Sequence, residues 1–152
     1  RFLLRVRLGY PSIADEVQVL EDQQLRHPIE AIKSVFSAEE VLAAAESVKS
    51  VYVAASIKRY IVELTHRTRV NSDVYLGASP RGSLALFRAG QARAGLNGRD
   101  HVLPDDIKAL AQAILGHRII VNPAARLREV TPERIVQEIL LAVAVPGGNF
   151  SV

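Results

Sequence analysis

Hydrophobic residues recur at intervals of three and four positions along most of the chain, which is the spacing of one face of an α-helix. Six amphipathic helices are predicted in this way, and the start of each is marked by a capping residue, a proline or a change in apolar spacing. Their predicted ranges are 13–24, 38–49, 54–69, 80–94, 104–115 and 131–143. The chain is therefore predicted to be mainly helical.

Two short stretches are predicted to be extended and one to be a loop. Phe2 to Leu8 alternates loosely between apolar and arginine side chains, which predicts a strand ended by Gly9-Tyr10-Pro11. Residues 118–123 predict one further extended segment, and residues 70–78 a polar loop. The predicted fold class is mainly α, a helical bundle with a short N-terminal strand and one further short extended segment.

Composition narrows the possible functions. The 152 residues are 49% hydrophobic and 23% charged, with a net charge of +3, as expected of a folded protein that is only mildly basic. No apolar run approaches the roughly 20 residues of a membrane-spanning helix. Cysteine is absent, which excludes disulfides, thiolate metal ligands and a cysteine nucleophile.

Motifs for several kinds of catalysis are missing from the sequence. The four histidines lack the spacing of a metal site, and no Gly-x-Ser-x-Gly elbow provides a serine nucleophile. No Gly-x-x-x-x-Gly-Lys-Ser/Thr loop is present to hold phosphates. The adjacent acids Asp105 and Asp106 are interpreted as complementing the dipole at a helix start.

One arginine stands where a cation gains nothing locally. Ser79 is a good N-cap and Pro80 suits the first helical position, so Arg81 falls in the first turn of the predicted helix. The partial positive charge at a helix N-terminus favours anions, not cations. Two interpretations stay open: Arg81 is simply solvated, or the arrangement binds a phosphate.

Further arginines cluster around the third and fourth predicted helices. They are interpreted as a solvated basic face, with a basic helical module that binds nucleic acid as the alternative. The connecting segment 70–78 is too long for the tight turn of a helix-turn-helix DNA reader. The residues concerned are Arg59, Arg67, Arg69, Arg88 and Arg93.

Several short motifs in order carry a resemblance to a known family. They are Gly77-Ala78-Ser79-Pro80-Arg81-Gly82, Asn97-Gly98-Arg99-Asp100-His101-Val102-Leu103-Pro104-Asp105-Asp106-Ile107-Lys108, and His117-Arg118. With Arg1-Phe2-Leu3, Leu8-Gly9-Tyr10-Pro11 and the stretch 130–146, the chain resembles the C-terminal part of MoxR-family AAA+ ATPases. The resemblance implies that residues 1–10 are the last strand of the nucleotide-binding core, 11–146 a helical lid domain and 147–152 a tail.

The resemblance also implies roles for individual residues. Arg81, in the Ser79-Pro80-Arg81 motif, matches the sensor 2 arginine, which reaches from the lid to the terminal phosphate of the nucleotide. Arg1 matches the arginine finger that acts in trans on a neighbouring subunit's nucleotide, although its usual preceding aspartate is absent.

We expect the chain to be an excerpt of a longer protein, because it contains no methionine and begins with a bulky arginine. The resemblance implies that the intact protein is a cytoplasmic ATPase that uses ATP and Mg²⁺. Its partners would be the missing AAA+ core domain, other subunits of a homo-oligomeric ring such as a hexamer, and client proteins that it remodels or matures. The excerpt lacks the Walker A and Walker B motifs, so we expect it neither to hydrolyse ATP nor to bind it tightly alone.

Overall fold

The computed structural model of the protein describes residues 2–147 as a mainly helical chain with one small sheet. Single turns of 3₁₀-helix lie at Pro28–Ala31 and Gly116–Arg118. The elements are, in order, α1 Ile13–Asp22, α2 Ala38–Val48, α3 Ala55–Val70, β1 Val74–Leu76, α4 Pro80–Leu96, α5 Pro104–Leu115, β2 Ile120–Val121, α6 Pro123–Arg126 and α7 Pro132–Ala142.

The contacts divide the chain into two compact units. The smaller is Val6–Ala45, and the larger consists of the N-terminal residues up to Arg5 and everything from Glu46 onward. Helix α2 runs across the boundary between residues 45 and 46. The division differs from the one implied by the resemblance, in which residues 11–146 form a single lid, and that assignment remains a proposal.

Local capping specifies both helices that begin in the smaller unit. The Ser12 hydroxyl accepts a hydrogen bond from the Asp15 N–H at 3.2 Å, and the Asp15 carboxylate accepts one from the Ser12 N–H at 3.3 Å. Ser37 and Glu40 form the same reciprocal pair at the start of α2. Each capping box satisfies N–H groups that the helix itself leaves unpaired.

Helices α3, α4, α5 and α7 form the core of the larger unit. Their inward faces carry fully buried aliphatic side chains, which removes enough apolar surface from water to stabilise a single domain. Leu64, Leu86, Ile107, Ile114, Leu115, Ile135 and Val136 are the largest of these. The apolar spacing that predicts helices over 54–69 and 104–115 places Ile57 and Leu64 on one face of α3, and Ile107 and Ile114 on one face of α5, and all four are buried.

The sheet is small and joins distant parts of the larger unit. Strand β1 pairs antiparallel with β2, with Val74 opposite Val121 and Leu76 opposite Ile120. The prediction of an extended segment near residue 120 is confirmed, whereas β1 lies in the stretch predicted to be a loop.

The predicted strand over Phe2 to Leu8 does not form in the structure. A strand is stabilised by a ladder of hydrogen bonds to a neighbouring strand. The Arg5 N–H instead donates to the Ala113 carbonyl of α5, at 2.8 Å. The mainly α fold class is nevertheless confirmed, and none of the described helices is both long and apolar enough to cross a membrane.

Candidate functional site

A groove of about 340 Å³ opens beside the N-terminal half of α4. Ser79, Arg81, Leu84 and Arg88 line it from this helix, and Phe2 and Leu3 line it from the N-terminal segment. The side chain of Arg118, at the end of the 3₁₀ turn after α5, forms part of the same wall. None of the described lining residues is a carboxylate, so the groove is electropositive.

The turn that leads into α4 is held against the end of α3. The buried Thr68 hydroxyl donates to the Thr65 carbonyl at 2.7 Å and accepts a hydrogen bond from the Ala78 N–H at 2.9 Å. A Cβ atom at Gly77 would lie 2.6 Å from the Thr68 carbonyl oxygen, so only glycine permits this approach. The position of Ser79 and Arg81 therefore depends on α3.

Ser79 occupies the N-cap position of α4 with extended backbone angles, and Pro80 occupies the first helical position, as predicted. The expectation that the Ser79 hydroxyl caps the helix is wrong, because it accepts no hydrogen bond from the first turn. The Gly82 N–H donates instead to the Ser79 carbonyl at 2.7 Å. The hydroxyl of Ser79 is consequently available to the groove.

Close packing against α5 accounts for Gly82 at the start of α4. A Cβ atom at this position would lie 3.2 Å from the Ala78 Cβ and 3.3 Å from a Leu115 methyl group. It would also approach Arg118 Cδ at 3.7 Å. A residue without a side chain thus lets the Arg81 end of α4 pack directly on the end of α5.

The guanidinium of Arg118 donates hydrogen bonds to backbone carbonyl groups. Its Nε donates to the Ile114 carbonyl at 2.9 Å, and one terminal nitrogen donates to the carbonyls of Phe2 and Leu3 at 2.6 and 3.1 Å. These bonds cap the C-terminal end of α5 and hold the N-terminal segment beside it. Arg118 therefore has a structural role in the wall of the groove: it ties, by hydrogen bonds, the N-terminal segment to the end of α5.

Arg81 and Arg88 differ from Arg118, because their side chains form no hydrogen bond or ion pair with any residue in 2–147. Both are exposed. Seven residues along a helix correspond to almost two turns, so the two side chains project from the same face, about 10 Å apart along the axis. The groove therefore holds two unpaired cations on one rigid helix.

Asp106, in contrast to Arg81 and Arg88, is a charged residue whose side chain is fully hydrogen-bonded within the fold. Its carboxylate oxygens accept hydrogen bonds from Arg99 at 2.8 and 2.6 Å, and one also accepts from the Leu103 N–H at 2.9 Å. Burial on its own would raise the pKa of the Asp106 carboxyl, but these hydrogen bonds and the charges of Arg99 and Arg93 outweigh it, so the pKa lies below 3.8. Asp106 is a buried structural anion, not only a complement to the helix dipole.

A larger groove, of about 690 Å³, lies between α3 and the residues that follow α7. Two cations line it: Arg67, which is paired with Glu63 at 2.8 Å, and the exposed Arg59. The Tyr60 hydroxyl is buried without a partner among the described residues, and this burial, with the nearby charge of Asp105, raises the pKa of Tyr60. The smaller groove is the better anion site, because no described carboxylate lines it, whereas Glu63 lines the larger groove.

The sequence-predicted site residues separate into two groups. Ser79, Pro80 and Arg81 lie together at the start of α4, whereas Arg1 falls outside the described residues. Arg88 and Arg118 were not predicted to share the groove. The spacing of seven residues from Arg81 could have indicated Arg88, but no local signal brings Arg118 to the same place. In residues 2–147 no cluster of histidine, aspartate or glutamate side chains is arranged to hold a metal ion.

Comparison with known families identifies most of the larger unit. Residues 66–139 match the AAA lid domain. The matched range extends from the end of α3 to α7 and includes Ser79, Arg81, Arg88 and Arg118. The groove is therefore contributed largely by the matched domain.

Individual proteins of known sequence are similar to almost the whole length of this chain. The chain is 46% identical to the uncharacterized protein YeaC of Bacillus subtilis, over 96% of this chain and 46% of that protein. It is 30% identical to chaperone MoxR1 of Mycobacterium tuberculosis, over 98% of this chain and 41% of that protein. The chain thus spans less than half the length of these relatives.

A solved structure shares the fold. The crystal structure of a protein designated a candidate ATPase, from Cytophaga hutchinsonii, superposes with a TM-score of 0.88 at 31% identity. The match covers 95% of this chain and 47% of that protein.

Proposed function

Because the chain is a MoxR-like AAA+ protein that carries an AAA lid domain, we propose that Arg81 is its sensor 2 residue and contacts the terminal phosphate of bound ATP. The observation that carries the proposal is the unpaired guanidinium of Arg81, in the first turn of α4 and in a groove without a described carboxylate. A cation in that position is electrostatically unfavourable unless an anion binds there.

The surroundings of Arg81 suit phosphate oxygens. The Ser79 hydroxyl, which forms no capping hydrogen bond, lines the groove together with Arg81, and a helix N-terminus is a common site for phosphate groups. The guanidinium itself binds phosphate through two parallel N–H groups. Arg81 would stabilise negative charge on the terminal phosphate during transfer and make the position of the lid depend on its presence.

ATP supplies the phosphoryl group, and Mg²⁺ normally bridges its phosphates in such enzymes. The groove residues fit phosphate but not Mg²⁺, which prefers carboxylate and water oxygens. We therefore assign the metal ion to residues outside this groove and give the groove residues only the binding of phosphate.

For the whole protein we propose an ATPase that couples ATP binding and hydrolysis to chaperone-like remodelling or maturation of partner proteins. The name of chaperone MoxR1 among the relatives supports this activity. Assembly into a homo-oligomeric ring, a hexamer, in the cytoplasm would let Arg1 act as an arginine finger on the nucleotide of a neighbouring subunit. Loss of such a finger costs about 10³ to 10⁵ in rate in related phosphoryl-transfer enzymes.

ATP turnover by the full-length protein tests the role of Arg81. We expect Arg81→Ala to lower turnover about 10-fold or more, as removal of a transition-state charge contact does. Arg126→Ala is the matched control, because Arg126 is an exposed arginine that does not line the groove. Unchanged turnover in Arg81→Ala, with the same thermal stability as wild type, would contradict the proposal.

A further inference from the structure

Arg88 is a cation of the groove that a single phosphate at Arg81 does not explain. It lies seven residues after Arg81, on the same face of α4, and Leu84 lies between them along the groove wall. The guanidinium forms no hydrogen bond or ion pair with any residue in 2–147. The groove consequently holds more unpaired positive charge than one phosphate contact needs.

A solvated surface arginine is the simpler interpretation of Arg88, as it is of the exposed Arg59 and Arg126 in the same unit. One observation sets Arg88 apart. It lines a concave surface together with Arg81 and no described carboxylate, where like charges repel and the positive potential is concentrated, whereas Arg59 shares its groove with Glu63. An anion that extends along the groove would relieve this repulsion.

The third arginine of the groove is not available to bind an anion. Arg118 lies in the same wall, but its guanidinium donates to the carbonyls of Ile114, Phe2 and Leu3. Redirecting it towards a ligand would break these bonds and release the N-terminal segment. The groove thus offers two cations for a ligand, Arg81 at the helix start and Arg88 almost two turns later.

We infer that Arg88 binds a second phosphate group of the same polyphosphate chain, so that the groove recognises a polyphosphate rather than a single terminal phosphate. This inference rests on the proposed function of Arg81. The two guanidinium groups would each form paired N–H contacts with a different phosphate, which sets the direction of the chain along α4. Ligands with one phosphate would reach only one of the two arginines.

Titration of the 152-residue chain with inorganic tripolyphosphate and with inorganic phosphate, at low ionic strength, tests the inference. NMR chemical shifts of the arginine Nε–Hε groups report binding directly. We expect wild type to bind tripolyphosphate more tightly than phosphate. Arg88→Ala should weaken tripolyphosphate binding about three- to five-fold, the range of an exposed charge contact, and leave phosphate binding within about two-fold.

Two further variants separate the role of Arg88 from general charge effects. Arg126→Ala removes one positive charge outside the groove and should leave both affinities unchanged. Arg88→Lys keeps the charge but loses the planar fork, and should give an intermediate affinity. Thermal unfolding of each variant, compared with that of wild type, shows whether the fold is retained.

Two results would overturn the inference. One is equal affinity of the wild type for tripolyphosphate and phosphate. The other is tripolyphosphate binding that is lost in Arg81→Ala but retained in Arg88→Ala, which would leave the proposed role of Arg81 intact. Loss of ATP turnover is the separate test of that role, so the two ideas can fail independently.

Discussion

The Thr68 hydroxyl accepts a hydrogen bond from the Ala78 N–H at 2.9 Å and so joins the end of α3 to the turn that carries Arg81. Both residues are buried, and they stand ten positions apart in the sequence. The backbone at Gly77 packs against the Thr68 carbonyl oxygen beside this bond. The direction in which α4 begins is therefore determined by a contact with another helix.

We predict that Thr68→Val lowers the free energy of unfolding by about 1 to 3 kcal/mol, because valine has the same shape but leaves the buried Ala78 N–H without an acceptor. Urea unfolding measures the change. Thr65→Val is the control: the Thr65 hydroxyl donates only to the Ile61 carbonyl within its own helix, so its loss should cost less. An equal loss in the two variants would show that the Ala78 contact is unimportant.

The lowered pKa of Asp106 predicts a specific dependence of stability on pH. A carboxyl whose pKa is lower in the folded than in the unfolded chain stabilises the fold at pH values above its ordinary pKa of 3.8. That contribution is lost as the pH falls from 3.8 towards the lower pKa of the folded protein. Asp106→Asn should reduce the free energy of unfolding near pH 7 by about 3 kcal/mol, since it leaves Arg99 without its anion.

Urea unfolding of wild type and Asp106→Asn between pH 7 and pH 2 measures this dependence. The difference between the two proteins should be constant above about pH 5. It should shrink below about pH 4, where the carboxyl of the unfolded chain becomes protonated, and go on shrinking until the carboxyl of the folded protein is protonated as well. Lys108→Gln, which removes only the exposed partner of Asp105, is a control that should show little effect. A difference that persists unchanged at the lowest pH would contradict the assigned ion pair.

Arg118 and Arg88 should behave differently although they line the same groove. Arg118→Ala removes the donors to Phe2 and Leu3, so we expect the Arg5 amide, which donates to the Ala113 carbonyl, to exchange with solvent about five-fold faster or more. Hydrogen exchange followed by NMR measures the rate. Arg88→Ala should leave it unchanged, and faster exchange in both variants would argue against Arg118 as the tie.

Helix positions could be predicted because their signals are local. Ser12, Ser37 and Thr131 accept hydrogen bonds from the first turns of α1, α2 and α7, as their sequence contexts indicated. Prolines stand at the first positions of α4 and α5. Predicted and observed helix limits therefore agree within about two residues.

The remaining features depend on distant parts of the chain. Strand β1 exists because β2 pairs with it more than 40 residues later, and a run of only three residues, Val74–Leu76, is too short to reveal such pairing. Ser79 has the sequence context of a cap but no capping hydrogen bond. Arg81 was recognised through its motif, whereas the groove that joins it to Arg118 is formed by the packing of α4 on α5.

The affinities of the full-length protein for ATP and ADP, measured in wild type, Arg81→Ala and Arg126→Ala, test the central claim most directly. ADP lacks the terminal phosphate, so only ATP would contact Arg81. We predict that Arg81→Ala weakens ATP binding about 10-fold and ADP binding by much less, while Arg126→Ala matches wild type for both. An unchanged ratio of ATP to ADP affinity in Arg81→Ala would contradict the assignment of Arg81 to the terminal phosphate.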